Sequence, residues 1–511
     1  MVTGNFLLSN ARLVSCFAIA SAIAGTVAYE ITLGIVGVAL PHMQGNFSAT
    51  PDQIAWVLTA FTVGTTIMIG CSGWFSSRFG RKRFFLLSLA GFIVATTMCG
   101  SVDSLVAETA WRFIQGLLGA PLMPLGQAIT ADCFPQDKQS QASSVWAMGA
   151  VGGVVTAPVI GGFLVEYYGW RWVFYVTLPF AALGLFGGAA FISETVKDAQ
   201  RKLDWIAFLT LVVAIVALQL ALSRGEREGW FESREIVTEM FIAAMAMALF
   251  VARNLTSPYP FIPLELVRDW NFNIGALMFL VFGAVLILPV VLLPLLLQQL
   301  GGYPVFTAGA LLLPRGIGTI IALLLSGMAF SKTNPKTLLI VGFIFIGMAN
   351  WRMSTWTPDV AVWEITWTTI FQGFGSGITF VPNIAIAFWT VSSRYRTEGL
   401  SFLYLLFYFG SAIGVAAIFA FQSKSIQINR SVLVENITRF NEMLRSSQWH
   451  LDSPSGLAAI SREIDRQAET IAYSNTFLII AVTALLMLPL ILMIRKSGGD
   501  QIRDRAGGSR Q

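Results

Sequence analysis

Residues 54–83 read IAWVLTAFTVGTTIMIGCSGWFSSRFGRKR. No charge falls between Ile54 and Ser77, and then Arg78, Arg81, Lys82 and Arg83 arrive almost together. At 1.5 Å per residue, an uncharged run of that length suits a helix crossing a hydrocarbon core of about 30 Å. A basic cluster at its end is what membrane proteins keep at the cytoplasmic surface. Working outward, the pattern recurs along the whole chain. About fourteen apolar spans lie near 15–40, 54–75, 84–102, 106–131, 141–165, 172–193, 205–222, 236–252, 271–296, 308–330, 337–351, 363–389, 398–421 and 473–494.

Composition agrees. Of 511 residues, 55% are hydrophobic and 12% charged, about half the charge density of a soluble domain. That excludes a soluble multidomain protein, a disordered chain, a collagen-like fibre and a secreted disulfide scaffold. Cys16, Cys71, Cys99 and Cys133 have no C-x-x-C spacing and read as small packing residues. The two histidines, His42 and His450, lie at or beyond the bilayer edge and form no metal site together. No cleavable signal is evident, because the first apolar stretch is too long and carries Glu30 in its middle. The fold class is an all-α polytopic membrane protein.

Orientation follows from Lys and Arg. With the N-terminus inside, about 20 of the 33 basic residues fall in inside segments. The densest are Arg78–Arg83, then Lys197, Arg201 and Lys202, then the tail from Arg495 to Arg510. Most outside basic residues sit in the loop 422–472, and long loops follow the rule poorly. Both termini are therefore expected in the cytoplasm. Arg112 and Arg315 fall within spans, where a charge costs roughly 2.5–3.5 kcal/mol on insertion scales. Each must face a cavity, a partner or both.

A weak internal repeat divides the chain. Gly73-Trp-Phe-Ser-Ser77-Arg78-Phe-Gly80-Arg81-Lys82 follows span two, and Gly327-Met-Ala-Phe-Ser331-Lys332-Thr-Asn334-Pro-Lys336 follows span ten. Gly, Ser and basic residues match in offset. The expected organisation is a cytoplasmic segment 1–14, a six-helix bundle 15–193, an inserted two-helix hairpin 205–252, a second six-helix bundle 271–494 and a cytoplasmic tail 495–511. Repeat-built transporters bind substrate between such halves, near the bilayer midplane.

The motifs resemble those of the major facilitator superfamily. Gly73–Arg83 is similar to its loop motif G-x-L-x-D-R-x-G-R-K, and Trp111-Arg112-Phe-Ile-Gln115-Gly116 to its fourth-span R-x-x-Q-G motif. Gly149, Gly152, Gly153, Pro158, Gly161 and Gly162 resemble the fifth-span antiporter motif. Trp170-Arg171-Trp172, with Pro179, and Arg224-Gly225 through Trp230-Phe231 and Ser233, look like the fourteen-span drug:proton antiporters of the EmrB/QacA type. Val38-Ala39-Leu40-Pro41 and Ala49-Thr50-Pro51-Asp52-Gln53 add to the likeness. The resemblance covers nearly the whole chain and leaves the substrate open. There are departures: the loop-motif Asp is Ser77, the first-span Asp and Asn become Thr32 and Gly37, and the thirteenth-span Arg becomes Phe407.

The resemblance implies proton coupling or gating at Arg112, gating by Gly149, Gly153, Pro158, Gly161 and Gly162, and a cytoplasmic latch at Gly73, Arg78, Gly80, Arg81 and Lys82. The residues add their own reading. Glu30 is the only acid in the middle of a strongly apolar span, and shares a helix face with Gly34, Gly37 and Pro41. In a partly wet site near Arg112 it would exchange a proton during transport; the bland alternative is a hydrogen-bonded structural acid. For Arg112 that alternative is an ion pair with Glu108, four residues earlier. Arg315 is a cavity-facing substrate anchor or a helix-to-helix hydrogen bonder. Trp363, Trp367, Phe371 and Phe374 recur on one face, so Gln115, Arg315, Trp367, Phe371 and Phe374 are the candidate cavity lining. In the loop 422–472, the spacing of Leu433, Ile437, Phe440 and Leu444, and of Ile460, Ile464, Ala468 and Ile471, predicts two short amphipathic helices.

The leading expectation is a proton-coupled multidrug exporter working by alternating access, with amphipathic small molecules, protons and the lipid bilayer as its partners. No cofactor and no nucleic acid are implied; the proton gradient supplies the energy. A narrow exporter of one native metabolite fits the same residues. A membrane-embedded enzyme finds no His-rich or paired-carboxylate cluster, and an ATP-driven pump finds no G-x-x-x-x-G-K-[ST] loop. The resemblance further implies a bacterial inner membrane, a periplasmic adaptor and an outer-membrane channel.

Overall fold

In a computed structural model all the regular secondary structure among the described residues is helical; these are 2–135, 138–195, 204–330, 333–392, 395–435, 437 and 453–495. The first half comprises α1 (Val2–Asn46), α2 (Pro51–Phe79), α3 (Arg81–Ser101), α4 (Leu105–Gly119), α5 (Leu122–Asp132), α6 (Gln139–Tyr168), α7 (Trp172–Tyr175) and α8 (Leu178–Phe191). A hairpin follows, α9 (Trp205–Arg224) and α10 (Arg234–Thr256). The rest comprises α11 (Leu264–Arg268), α12 (Trp270–Gln299), α13 (Val305–Ala310), α14 (Leu313–Ala329), α15 (Pro335–Met353), α16 (Val362–Ala387), α17 (Arg396–Glu435), α18 (Pro454–Leu485) and α19 (Leu488–Leu492).

Thirteen helices among the described residues are long and apolar enough to cross a bilayer. The expected span 106–131 is the fourteenth. It is split into α4 and α5 at Ala120–Pro121, where proline supplies no N–H to carry the helix ladder onward.

The two halves repeat the same pairings. α1 packs on α6 and α2 on α4; correspondingly, α12 packs on α17 and α14 on α16. Small residues make the close approaches. A Cβ on Gly116 would strike the Phe61 carbonyl and one on Gly64 the Phe113 carbonyl; Gly373 and Gly318 stand in the same way against Arg315 and Ile370. In lipid no hydrophobic force drives helices together, so such backbone contact is what holds them.

The halves meet along two seams, α2 with α17 and α6 with α14. Gly73 of α2 abuts Glu398 of α17, and Gly327 of α14 abuts Ser144 of α6. The two glycines of the sequence repeat thus occupy matching places, one on each seam. Gly80 alone joins α2 to α3 at φ 91°, a conformation that costs a β-carbon-bearing residue strain. The hairpin packs against α2 and α17. Asp204, capping α9, accepts from Arg253 Nε at 2.8 Å and Ser257 Oγ at 2.6 Å, tying the two hairpin helices at one end.

In the loop 422–472 the second expected helix is present as part of a longer one, and the first falls mostly outside the described residues. Leu433 lies in α17, which runs on to Glu435, and Ile460, Ile464, Ala468 and Ile471 lie in α18. Within the described residues the flanking spans continue outward, pinned by an Arg430–Asp465 ion pair at 2.8 Å. A helix already nucleated by its membrane span extends at little cost. Phe440, Leu444, His450, the basic residues Lys197, Arg201, Lys202 and Lys332, and the tail from 496 onward lie outside the described residues. The four cysteines are free.

Candidate functional site

Glu30 sits on α1 where both halves meet. It is 5% exposed, and its Cβ lies against Gly153 of α6, where a methyl would come within 3.1 Å. Among the described residues the carboxyl has no hydrogen-bond partner and no ion pair. Three phenols lie within its electrostatic reach: Tyr29, Tyr404 and Tyr408.

The phenols tie the halves together. Tyr29 and Tyr408 meet hydroxyl to hydroxyl at 3.2 Å, and Tyr29 donates to Thr65 Oγ1 at 3.3 Å. Tyr404 donates to Gln127 Oε1 at 2.7 Å. Around them Trp146, Phe279, Phe282, Phe380 and Phe407 form one aromatic cluster. Phe407, standing where an arginine is expected, packs there as a ring. Thr32, in place of the expected acid, closes a bond on the Ala28 carbonyl at 2.9 Å.

The face of α1 that bears Glu30 is covered at Gly34, against Ala157, but a Cβ on Gly37 would meet nothing within 4 Å, as would one on Gly152 of α6. On the side away from Arg78–Arg83 the halves stay in contact along α6, where Val155 meets Gly316 and Pro158 meets Gly309. At the basic end the seam is shut: Ser72 and Ser401 hydroxyls meet at 2.8 Å, and Arg396 Nη1 donates to Gln139 Oε1 at 3.0 Å.

Arg112 is elsewhere. It is fully buried between α2, α3 and α4, donating from Nη1 to Gln115 Oε1 at 2.5 Å and from Nε to the Val57 carbonyl at 3.3 Å. Its guanidinium lies 4.1 Å from the Phe61 ring centre, a cation–π contact strengthened by the dry surroundings. Gln115 is fixed in turn by Thr96 Oγ1 at 2.8 Å. The expected closeness of Arg112 and Glu30 is not found. Their connection runs through Phe61 and Tyr29, whose ring centres are 5.9 Å apart. Nor do Arg112 and Glu108 form an ion pair among the described residues; both Glu108 oxygens lack a hydrogen-bond partner. Gln115, expected to line a cavity, is instead 0% exposed and consumed by this cage.

The second half holds a counterpart. Arg315 donates from Nε to Gln372 Oε1 and from Nη2 to the Leu286 carbonyl at 2.9 Å, bridging three helices as a hydrogen bonder. Gln115-Gly116 and Gln372-Gly373 are equivalent, because each glycine rests on the partner helix in the same register. The arginine has changed helices: Arg315 occupies the place that Phe61 has in the first half.

Trp367, Phe371 and Phe374 do not line the seam. Phe371 and Phe374 pack on Phe345 of α15, and Phe371 is 44% exposed. The polar face of α16, with Thr368, Thr369, Gln372, Ser376, Thr379 and Asn383 all buried, takes the inside and turns the aromatic face toward lipid. Of the glycine motif on α6, Gly149 abuts Ile23, Gly153 abuts Val27 and Glu30, and Gly161 abuts Ile35, all on α1; Gly162 faces Phe306 and Pro158 faces Gly309. At the basic end Arg81 bridges Asp132, Lys82 Nζ donates to the Ala189 carbonyl at 2.8 Å, and Arg78 forms no ion pair among the described residues. At the other end Arg171 pairs with Asp103 and stacks on Trp170, while Trp170 Nε1 donates to Asn46 at 3.2 Å. The hairpin turn is held by Arg224 on Glu235 and Glu239.

Tyr29, Tyr404, Tyr408, Gln127 and Arg396 are the residues that sequence reasoning missed. The signal was present: two tyrosines at i, i+4 in an otherwise apolar span put two hydroxyls on one face.

The comparisons agree with this architecture. A model of the Major Facilitator Superfamily matches residues 22–415. Multidrug export protein EmrB of Escherichia coli K12 is 28% identical over 469 residues, covering 89% of this chain and 91% of its own. Fatty acid resistance protein FarB of Neisseria gonorrhoeae is 26% identical over 474 residues, covering 91% and 94%. Multidrug resistance protein 3 of Bacillus subtilis is 30% identical over 388 residues, covering 75% and 74%. The crystal structure of the human organic anion transporter MFSD10 (TETRAN) matches 94% of this chain and 99% of its own, with a TM-score of 0.59 at 14% identity, a likeness of fold. The protein is a multi-pass membrane transporter rather than an enzyme, and it belongs to the Major Facilitator Superfamily, in the family of the EmrB-type exporters.

Proposed function

We propose that this protein is a proton-coupled exporter of amphipathic toxic compounds, a multidrug efflux pump of a bacterial inner membrane with both termini in the cytoplasm. The observation that carries the reading is Glu30: a carboxyl without a hydrogen-bond partner among the described residues, placed where α1, α6 and α17 meet. Protonation there changes the charge of the seam that must open and close in alternating access. Since Arg112 is caged within the first half, its role is to position α2 against α4, with any effect on Glu30 passing through Phe61 and Tyr29. The energy source is the proton gradient, with no bound cofactor. The names of the EmrB and Bacillus relatives support multidrug export. The outward extensions of α17 and α18 suit docking of a periplasmic adaptor leading to an outer-membrane channel.

Everted vesicles energised by respiration test the reading. A panel of cationic, neutral and anionic amphiphiles is added to wild type, Glu30→Gln and Arg112→Ala. Substrate-evoked proton release in wild type, lost in Glu30→Gln, supports antiport. Proton release that survives Glu30→Gln moves the proton site elsewhere, and a response to a single compound makes the protein a narrow metabolite exporter.

A further inference from the structure

A second polar site lies one layer below the tyrosines, at the closed end of the seam. A cavity of about 70 Å³ opens between the halves, lined by α5 and α6 on one side and α16 and α17 on the other. One water needs roughly 10–15 Å³ on this measure, so the space holds a small headgroup. Arg396 is its only charged lining residue among the described residues. Val381, Ile384, Phe388 and Leu400 form an apolar wall, and Gln127, Gln139, Ser140 and Ser143 supply amides and hydroxyls.

Like Arg112 and Arg315, Arg396 has a neutral acceptor in place of a carboxylate, but it alone of the three lines the cavity. Arg81 has Asp132 and Arg253 has Asp204, but no carboxylate among the described residues comes within ion-pair distance of Arg396. Among the described residues its side-chain hydrogen bond goes to the neutral Gln139 amide oxygen. Asp132 lies nearby but is held by Arg81, and Glu398, on the same helix, is turned toward Gly73 of α2. An anionic acceptor adds charge attraction and can take two parallel guanidinium N–H bonds, so an arriving anion would displace Gln139.

We propose that this cavity is the inward recognition site for amphiphiles with an anionic headgroup, Arg396 receiving the charge and the apolar wall receiving the hydrophobic body. The assignment rests on the exporter reading and names its substrate class. It also supplies a link to the proton site: Gln127 lines the cavity and accepts the Tyr404 hydroxyl, and Tyr404 stands beside Glu30. Headgroup binding reaches the Gln127–Tyr404 hydrogen bond directly, and the charge of Glu30 reaches it electrostatically.

The test uses the full-length protein in phosphatidylcholine nanodiscs and two probes of matched body, pyrenebutyrate and its trimethylammonium counterpart. Arg396→Gln is expected to weaken pyrenebutyrate binding at least tenfold and to leave the cationic probe within twofold, while Arg396→Lys keeps most of the anion affinity. Equal weakening of both probes, or no change in either, overturns the proposal. A parallel arm adds phosphatidylglycerol. If Arg396 governs only how much of that lipid the protein retains, the headgroup is a lipid's and the substrate assignment fails. Cation export that persists in Arg396→Gln vesicles would leave the exporter reading intact, so the two failures are distinguishable.

Discussion

Tyr29 and Tyr408 meet hydroxyl to hydroxyl at 3.2 Å across the seam between the two halves, and Tyr29 is the chain neighbour of Glu30. The bond that joins the halves at mid-membrane therefore shares its surroundings with the Glu30 carboxyl. An alternating-access cycle must break this bond each time the seam opens at that level, which gives it a measurable weight.

Tyr408→Phe removes the bond and keeps the ring. A net hydrogen bond is worth about 0.5–1.5 kcal/mol, so the equilibrium should move about two- to twelvefold toward the conformation in which α1 and α17 part. Spin-label distances between the outer ends of the two halves check this. An unchanged distribution would show that the bond does not bias the cycle.

Neighbouring glycines on α6 offer a control within one motif. A Cβ at Gly153 falls 3.1 Å from Glu30 Cβ and 3.2 Å from the Val27 carbonyl, whereas one at Gly152 meets nothing within 4 Å. Gly153→Val should reduce transport at least tenfold and Gly152→Ala should leave it within twofold. Equal effects would mean that general helix propensity, and not contact with α1, explains the motif.

Arg112→Ala strips donors from Gln115 and the Val57 carbonyl and uncovers the Phe61 ring. Hydrogen bonds to charged groups contribute about 1.5–3 kcal/mol each, so the thermal unfolding midpoint should fall clearly, while Glu30→Gln leaves it nearly unchanged. The reverse ranking would make Glu30 the structural residue.

Gly373→Ala probes the second half. The added methyl would enter the Arg315 carbonyl, and overpacking costs about 1–3 kcal/mol. Reduced thermal stability, with the Arg315–Gln372 bond disturbed, is the expected result; a neutral substitution would show that α14 and α16 can separate freely.

The fold was legible because membrane burial imposes a single rule, and spans such as 54–75 obey it without exception. The Gly73/Gly327 repeat marked matching places on the two seams, since close backbone contact leaves a trace in residue size. Direction around a helix was harder to read. Trp367, Phe371 and Phe374 share a face, but apolar rings suit lipid as well as a cavity, and only the buried polar run Thr368 to Asn383 on the same helix settles which face turns in. Arg112 and Glu30 lie on helices of one half, and nothing in their spacing reveals that Phe61 and Tyr29 occupy the space between. Arg396 escaped notice because a basic residue at a span end looks like a surface anchor until its lack of a carboxylate partner is seen.

The most direct test of Glu30 as the proton site is proton release by the purified protein in unbuffered detergent solution on adding a transported compound. Wild type should release close to one proton per bound molecule, with release fading as the starting pH rises and the carboxyl empties beforehand, and Glu30→Gln should bind the compound and release none. Undiminished release from Glu30→Gln would contradict the account and place the coupled proton on another group.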